Sequence, residues 1–270
     1  MSTIGFIGTG QLATALAQGF VQSNALTASQ LVGIDISPKA QTRFQELTGG
    51  TIVPDVKTLM KRSDVVFLAV KPQNMVKVMQ EAVTEREQGH NVFWITIAAG
   101  LPIKLYLKHL GQSARVLRVM PNTPCLVGEG ALAYATSDSV TDADKTLAET
   151  LLGSVGKVFS IPENHLDAVT GVSGSGPAYV YMMIEAMTEG GVKMGLTHEL
   201  SSRLATQTVL GAAKMVAETG EHPAVLRNRV CSPGGTTITS VHVLEEEGFR
   251  AAVMNAVEAA VTRAKELAAE

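Results

Sequence analysis

The sequence predicts an α/β domain built on a doubly wound, mostly parallel sheet, followed by an all-α domain, with the boundary at Pro162. Three observations carry this reading. Up to about residue 160, short β-rich runs alternate with amphipathic stretches. Several of the runs, "VVFLAV" and "VFWITIAA" among them, are nearly continuous in apolar residues, as strands covered by helices on both faces are. Beyond Pro162 the strand signal stops and long helical patterns take over. The expected domains are residues 1–162 and 163–270.

In chain order, strands are expected at Thr3–Ile7, Leu31–Ile36, Val65–Val70, Val92–Ala98 and Ala114–Met120. Helices are expected between them at Leu12–Val21, Lys39–Leu47, Val56–Lys61 and Met75–Arg86. Two further strands, Ala131–Ala135 and Lys157–Ile161, flank a helix near Ala143–Leu152 and extend the sheet. The second half reads as helices at Pro177–Met194, at His198–Thr219, and from Ser240 or Phe249 to the C-terminus. The first of these, "PAYVYMMIEAMTEGGVKMG", is apolar around most of its circumference. Such a helix must be buried nearly all round, and three or four helices are too few to hide it, so a second copy of the chain is expected against it. Met182, Met183, Met187 and Met194 are read as core or subunit interface.

Composition narrows the function classes. The 270 residues are 46% hydrophobic and 17% charged, without a biased tract, which describes a folded protein. A net charge of -3 with no basic patch argues against a nucleic-acid partner. No apolar run reaches the roughly 18 residues of a membrane span, and "MSTIGFIGTG" lacks the basic start of a signal peptide. Cys125 and Cys231 are far apart and form no CxxC, and His165, His198, His222 and His242 are scattered without ligand spacing. Neither a disulfide framework nor a metal site is expected, and the expected location is cytoplasmic.

The chemistry begins at "IGFIGTGQLATAL", which places Gly8, Gly10 and Ala13 in a GxGxxA pattern directly after a strand and at the opening of a helix. Gly8 allows the tight turn, Gly10 lets a pyrophosphate approach the backbone, and Ala13 lets helix pack on strand. The helix start, Gln11 and Leu12, faces the phosphates. This is the dinucleotide fingerprint of a Rossmann domain. Asp35 ends the second strand, 22 positions after Ala13, where an acid takes the adenosine ribose hydroxyls and favours NAD by repelling a 2′-phosphate. Ser37 and Lys39 follow and could hold that phosphate instead; the plain alternative makes Asp35 a turn former before Ser-Pro. The expected cofactor is NADPH or NADH.

The third clear strand ends in "AVKPQNM", so Ala69, Val70, Lys71 and Pro72 leave the sheet at its carboxyl edge, where open α/β sheets bind ligands. Lys71 is read either as a contact to cofactor or substrate anion or as a surface lysine. The next two strands end in "AAGLP", where Ala98, Ala99 and Gly100 admit a ring, and in "RVMPNTP", where Asn122 and Thr123 offer hydrogen bonds. Three successive strand ends of this kind point to one crevice.

Two loops interrupt the helical half. In "VSGSGPAYV", Pro177 suits a first helical turn, and Ser173 and Ser175 are read as caps. In "CSPGGTT", Cys231 to Thr237, a glycine-rich turn runs into a helix whose first turn contains Thr236, Thr237 and Thr239. Its unpaired N–H groups and the helix dipole form a carboxylate site that needs no arginine, and the hydroxyls of Ser232 and Thr237 add donors.

With "GFIGTGQLA", "AVKP", "RVMPNTP", "GVSGSGPAY" and above all "VCSPGGTT", the chain resembles the pyrroline-5-carboxylate reductase family over essentially its whole length. The resemblance implies NAD(P)H-dependent reduction of the C=N bond of 1-pyrroline-5-carboxylate to L-proline, the last step of proline biosynthesis. It also implies a helical domain that interlocks with a partner's in a homodimer, and larger rings of such dimers. Carried over by motif, Ser232, Gly234, Gly235, Thr236 and Thr237 bind the substrate carboxylate. Thr237 is the catalytic candidate, its hydroxyl orienting the imine and relaying a proton rather than driving the transfer. Cys231 departs from the small residue usual there and is read as packing, and Asp35-Ile36 lacks the neighbouring arginine that would clamp a 2′-phosphate. Two other readings stand: a hydroxy-acid dehydrogenase, for whose acid/base lysine Lys193 and Lys214 are candidates without motif support, and a dinucleotide sensor, against which the intact loop speaks.

Overall fold

The computed structural model describes residues 2–85 and 91–269; Arg86, the expected end of one helix, lies outside them. The chain divides into two units, residues up to Ser175 together with those from Ala259, and Gly176–Glu258. In the first, β1 (Ile4–Ile7), β2 (Leu31–Ile34), β3 (Thr51–Ile52), β4 (Val65–Leu68), β5 (Phe93–Thr96), β6 (Arg115–Met120), β7 (Gly130–Thr136) and β8 (Gly156–Ser160) form one sheet in the order 3-2-1-4-5-6-7-8. Neighbouring strands from β3 to β6 pair in parallel. β7 turns back antiparallel on β6, and β8 is parallel to β7. The direction changes because only a short connection, with a helical turn at Thr123–Val127, joins β6 to β7, too little chain for a crossover.

The continuous apolar runs are explained by two cores, one on each face of the sheet. Phe6, Phe67, Phe93 and Leu117 point to one face and pack with Leu16 and Phe20 of α1 (Gln11–Gln22), Phe44 of α2 (Pro38–Thr48) and Leu151 of α6 (Asp142–Gly153). Their chain neighbours Ile7, Val66, Trp94 and Val116 point to the other face. There they meet Leu59 of α3 (Val56–Arg62), Met79 of α4 (Met75–Glu85) and Tyr106 of α5 (Ile103–Leu110). Phe67 stacks on Phe6 with ring centres 4.6 Å apart and tilts against Phe20 at 5.9 Å.

Among the labelled strands and α-helices, four have no counterpart in the sequence expectations: β3, α5, the four-residue helix α7 (Leu166–Val169) and α10 (Pro223–Arg229). β3 has two residues and shows no period, while α5 and α10 span about two turns each, too short for a helical stripe to stand out. Residues 163–175 pack with the sheet unit. Leu166, in the short helix α7 (Leu166–Val169), packs with Ile103, Ala133 and Ala135. That apolar contact keeps the chain with the sheet through a π turn at Thr170–Gly174.

The helical unit holds α8 (Gly176–Lys193), α9 (His198–Thr219), α10, α11 (Thr236–Glu246) and the start of α12 (Phe249–Ala269). Thr197 caps α9 by accepting from the Leu200 N–H, and His222 Nδ1 caps α10 by accepting from Ala224 N–H, with Pro223 in the first turn. The helix expected from Ser240 or Phe249 is two helices, separated at Glu247 and Gly248. Within the single chain, α8 buries only Thr188 among its residues, leaving Tyr181 59% and Met182 68% exposed. Among the described residues no helix is long and apolar enough to cross a membrane.

The aromatic stack sets one expectation: Phe67→Ala opens a cavity under β1 and α1 and destabilises by about 3–5 kcal/mol. Urea denaturation followed by circular dichroism checks it, and an unchanged midpoint refutes it.

Candidate active site

The loop after β1 lies at the point where the sheet order reverses, between β1 and β4. Gly8 has φ +97°, and a Cβ there would stand 2.7 Å from the carbonyl carbon and oxygen of Ala69, so only glycine lets the two strand ends approach. Gly8 N–H donates to Ile34 at 2.8 Å, and Ala69 N–H donates to Ile7 at 2.9 Å, which ties β2, β1 and β4 together at this edge. Gly10 precedes α1 in extended conformation without a side-chain cap, and no atom lies within 4 Å of where its Cβ would be. Gln11 and Leu12 thus open a helix whose N-terminus is uncovered. Ala13 is buried against the sheet, as the close packing of helix on strand requires.

The Asp35 carboxylate accepts from Thr9 N–H at 2.7 Å and from Ser37 N–H at 2.9 Å. It closes the loop after β1 onto the loop after β2, and its remaining lone pairs are still available to ribose hydroxyls. Thr9, the unremarked residue between the two glycines, is wholly buried, its hydroxyl is unpaired, and its methyl faces Gly33. Ser37 caps α2 by accepting from Ala40 N–H, while Lys39 is exposed and Ile36 is 97% exposed.

At the neighbouring strand ends, Val70 is half-buried and Lys71 is exposed just before the helical turn Pro72–Asn74. Ala98 and Gly100 are buried, Gly100 at φ +80°, and Ala99 is exposed. Asn122 was expected to offer its side chain, but the structure already engages both ends of its amide. Its Nδ2 donates to Ser173 O at 3.1 Å, and its Oδ1 accepts from Ala131 N–H at 3.0 Å. It braces the start of β7 against the π turn. Ser173 does not cap α8, because its hydroxyl donates back to Val169 O.

A dinucleotide suits this edge: Gly10 leaves room for a pyrophosphate, α1 presents an uncapped N-terminus, and Asp35 stands where the ribose would lie. Below it the structure reveals a polar group that sequence reasoning missed. Thr96 and Arg118 are register partners on β5 and β6. Arg118, 6% exposed, donates to Glu163 and Asp167, and the Thr96 hydroxyl hydrogen-bonds Tyr106 Oη at 2.6 Å. Burial pushes the Tyr106 phenol up to about 12, so it remains a neutral hydroxyl. The legible signal was the arginine within the otherwise apolar run "VLRVM".

In the helical unit, the Cys231–Thr237 stretch forms a turn closed by Gly235 N–H donating to Ser232 O at 3.0 Å, with Gly234 at φ +67°. Gly235 precedes α11 in extended conformation and supplies no side-chain cap. Thr239 and Ser240 turn their hydroxyls back to the helix carbonyls of Gly235 and Thr236. The hydroxyls of Ser232, Thr236 and Thr237 have no hydrogen-bond partner among the described residues; Thr237 is half-buried and the other two are exposed. Uncommitted hydroxyls at a helix N-terminus fit a small carboxylate. No group of three or more His, Cys, Asp or Glu able to hold a metal stands together among the described residues.

Comparison with known proteins agrees with both halves of this geometry. The family model for pyrroline-5-carboxylate reductase dimerisation matches residues 163–267, and that for NADP oxidoreductase, coenzyme F420-dependent, matches residues 3–100. A pyrroline-5-carboxylate reductase of Glycine max is 44% identical over 266 residues, covering 98% of this chain and 96% of that protein. The chain belongs to the pyrroline-5-carboxylate reductase family. The pyrroline carboxylate reductase of Plasmodium falciparum, solved with NADP bound, superposes with a TM-score of 0.90 at 34% identity, covering 99% of this chain and 98% of that one. The Coxiella burnetii pyrroline-5-carboxylate reductase gives 0.90 at 36% identity, covering 98% of each. This chain therefore carries the family's dimerisation domain behind a Rossmann domain. Lys214, a candidate under the hydroxy-acid reading, is an exposed lysine of α9 paired with Glu218.

Gly8→Ala forces a side chain into the Ala69 backbone from a left-handed conformation, and we expect dinucleotide affinity to fall by at least about tenfold, or 1.4 kcal/mol. Titration of NADPH fluorescence measures this, and an unchanged Kd would remove Gly8 from the cofactor edge.

Proposed function

We infer that this chain reduces 1-pyrroline-5-carboxylate to L-proline with NADPH or NADH, the final step of proline biosynthesis. The observation that carries the reading is the 44% identity to a pyrroline-5-carboxylate reductase over 98% of the chain; the Cys231–Thr237 turn before an uncapped helix supports it. The bound dinucleotide supplies the hydride. Gly8, Gly10, Gln11 and Leu12 receive its pyrophosphate, Asp35 and Ser37 its adenosine ribose. Ala69 to Pro72, Ala98 to Gly100 and the Asn122 backbone line the path to the reacting ring. In the substrate loop, Ser232 and the N–H groups of Gly234 to Thr237 hold the carboxylate. Thr237 sets the imine nitrogen by a hydrogen bond and passes on a proton.

No side chain is asked to act as a nucleophile. Positioning supplies the main contribution, since donor and acceptor carbons must come within about 3–3.5 Å. Residues 163–270 form the substrate-binding and dimerisation domain behind the dinucleotide domain of residues 1–162, and the working form is a homodimer, with a ring of dimers as the larger assembly. The apolar face of α8 supports the dimer. Both cysteines are free, which suits a reducing cytoplasm.

The test follows NADPH, and separately NADH, by absorbance on addition of pyrroline-5-carboxylate, with proline assayed as product. Oxidation of neither, despite dinucleotide binding, sinks the reading. Thr237→Ala is expected to lower kcat/KM by about ten- to a hundredfold with dinucleotide Kd unchanged. Asp35→Asn keeps one acceptor and removes the charge facing a 2′-phosphate, so the ratio of kcat/KM for NADPH over NADH should rise by about tenfold. A constant ratio places cofactor choice elsewhere.

A further inference from the structure

The loop Ala98–Pro102 between β5 and α5 is held at both flanks by side chains that are not part of it. On the β5 side, Ala98 N–H donates to Thr96 Oγ1 at 3.3 Å, and that hydroxyl is paired with Tyr106 Oη at 2.6 Å. On the α5 side, Ile103 N–H donates to Glu163 Oε1 at 2.6 Å. The same oxygen accepts from Arg118 Nη1 at 3.1 Å, and Arg118 Nη2 reaches Asp167 at 3.4 Å. Thr96 and Arg118 face each other across β5 and β6, so the two clamps stand side by side beneath one loop.

This arrangement is an unusual way to start a helix. A serine, threonine or aspartate before α5 would cap it locally. The residue there is Pro102, which has no side-chain acceptor, and the cap comes from a carboxylate 60 residues downstream. That carboxylate is held in turn by a guanidinium on the face of the sheet that is otherwise apolar around Ile103, Ala133 and Leu166. An ion pair with a buried guanidinium and a half-buried carboxylate adds little stability over well-packed apolar residues, and its best use is to fix a geometry. What is fixed here is the short loop with buried Ala98 and Gly100, one of the strand ends that face the dinucleotide.

We propose that Glu163 and Arg118, with Thr96 and Tyr106, are positioning residues that hold the Ala98–Pro102 loop in the shape that receives the dinucleotide. They act through the loop. The proposal rests on the dinucleotide reading above, and its test separates the two. Wild type, Glu163→Ala, Glu163→Gln and Tyr106→Phe are compared as full chains by NADPH fluorescence titration without imine, by kcat and KM for the imine, and by hydrogen exchange at the Ile103 amide. Glu163→Ala should weaken NADPH by about tenfold, the effect of one charge-assisted hydrogen bond, and speed exchange at Ile103, with KM for the imine within about twofold. Glu163→Gln retains a carbonyl acceptor for Ile103 and should recover most of the affinity. Tyr106→Phe removes only a hydroxyl and should weaken NADPH by about threefold.

A Glu163→Ala protein that melts earlier but binds NADPH and turns over as wild type does overturns the proposal, as does failure of Glu163→Gln to recover binding. If Glu163→Ala does not fold, Tyr106→Phe decides: wild-type affinity there also overturns it. A wild type that binds no dinucleotide would defeat the functional reading and this proposal together, whereas an active wild type with indifferent variants defeats this proposal alone.

Discussion

The approach of β1 to β4 just beyond their paired residues is the constraint on which the rest of the first unit depends. A Cβ on Gly8 would lie 2.7 Å from the backbone of Ala69, so the chain turns there only because that atom is missing. From this point α1 packs on one face of the sheet and α4 on the other, and the strand ends between them form the edge at which open α/β sheets bind ligands. Asp35 closes the arrangement by accepting from Thr9 and Ser37, so one carboxylate orders two loops. A site made by topology suits hydride transfer, which asks for two carbons held in place rather than for a nucleophile.

The polar groups below this edge follow from the same layering. A strand buried on both faces has no place for a charge, and Arg118 is tolerated on β6 because Glu163 and Asp167 neutralise it. Asn122, at the end of the same strand, is likewise committed to Ala131 and Ser173. These side chains work on the protein itself: they hold the loops at the ends of β5 and β6.

The helical unit is governed by what it leaves uncovered. α8 is apolar around most of its surface, yet its own chain covers little of it, and Leu204, Leu210 and Met254 add further exposed apolar area. An exposed surface of this kind marks an association face, in accord with the dimerisation model that matches residues 163–267. The glycine-rich turn before α11 has uncommitted hydroxyls and an uncapped helix start. The two candidate recognition elements thus stand on two kinds of scaffold, a sheet edge and a helix terminus.

Much of this was legible in the sequence because it depends on local periodicity and local conformation. Continuous apolar runs marked the doubly covered strands, GxGxxA marked the turn after β1, and the apolar girth of "PAYVYMMIEAM" marked a helix its own chain could not cover. Short elements such as β3 and α5 escaped, since two residues or two turns carry no readable period. By itself the sequence determined the order of the long elements, the GxGxxA turn after β1 and the glycine-rich turn before α11, because each is written in residues adjacent along the chain. Only the tertiary structure decided that Asp35 secures Thr9, that the Asn122 amide is already engaged, and that Glu163 caps a helix 60 residues away. Those pairings join side chains that folding alone brings together, and no spacing along the chain encodes which buried donor a distant carboxylate will satisfy.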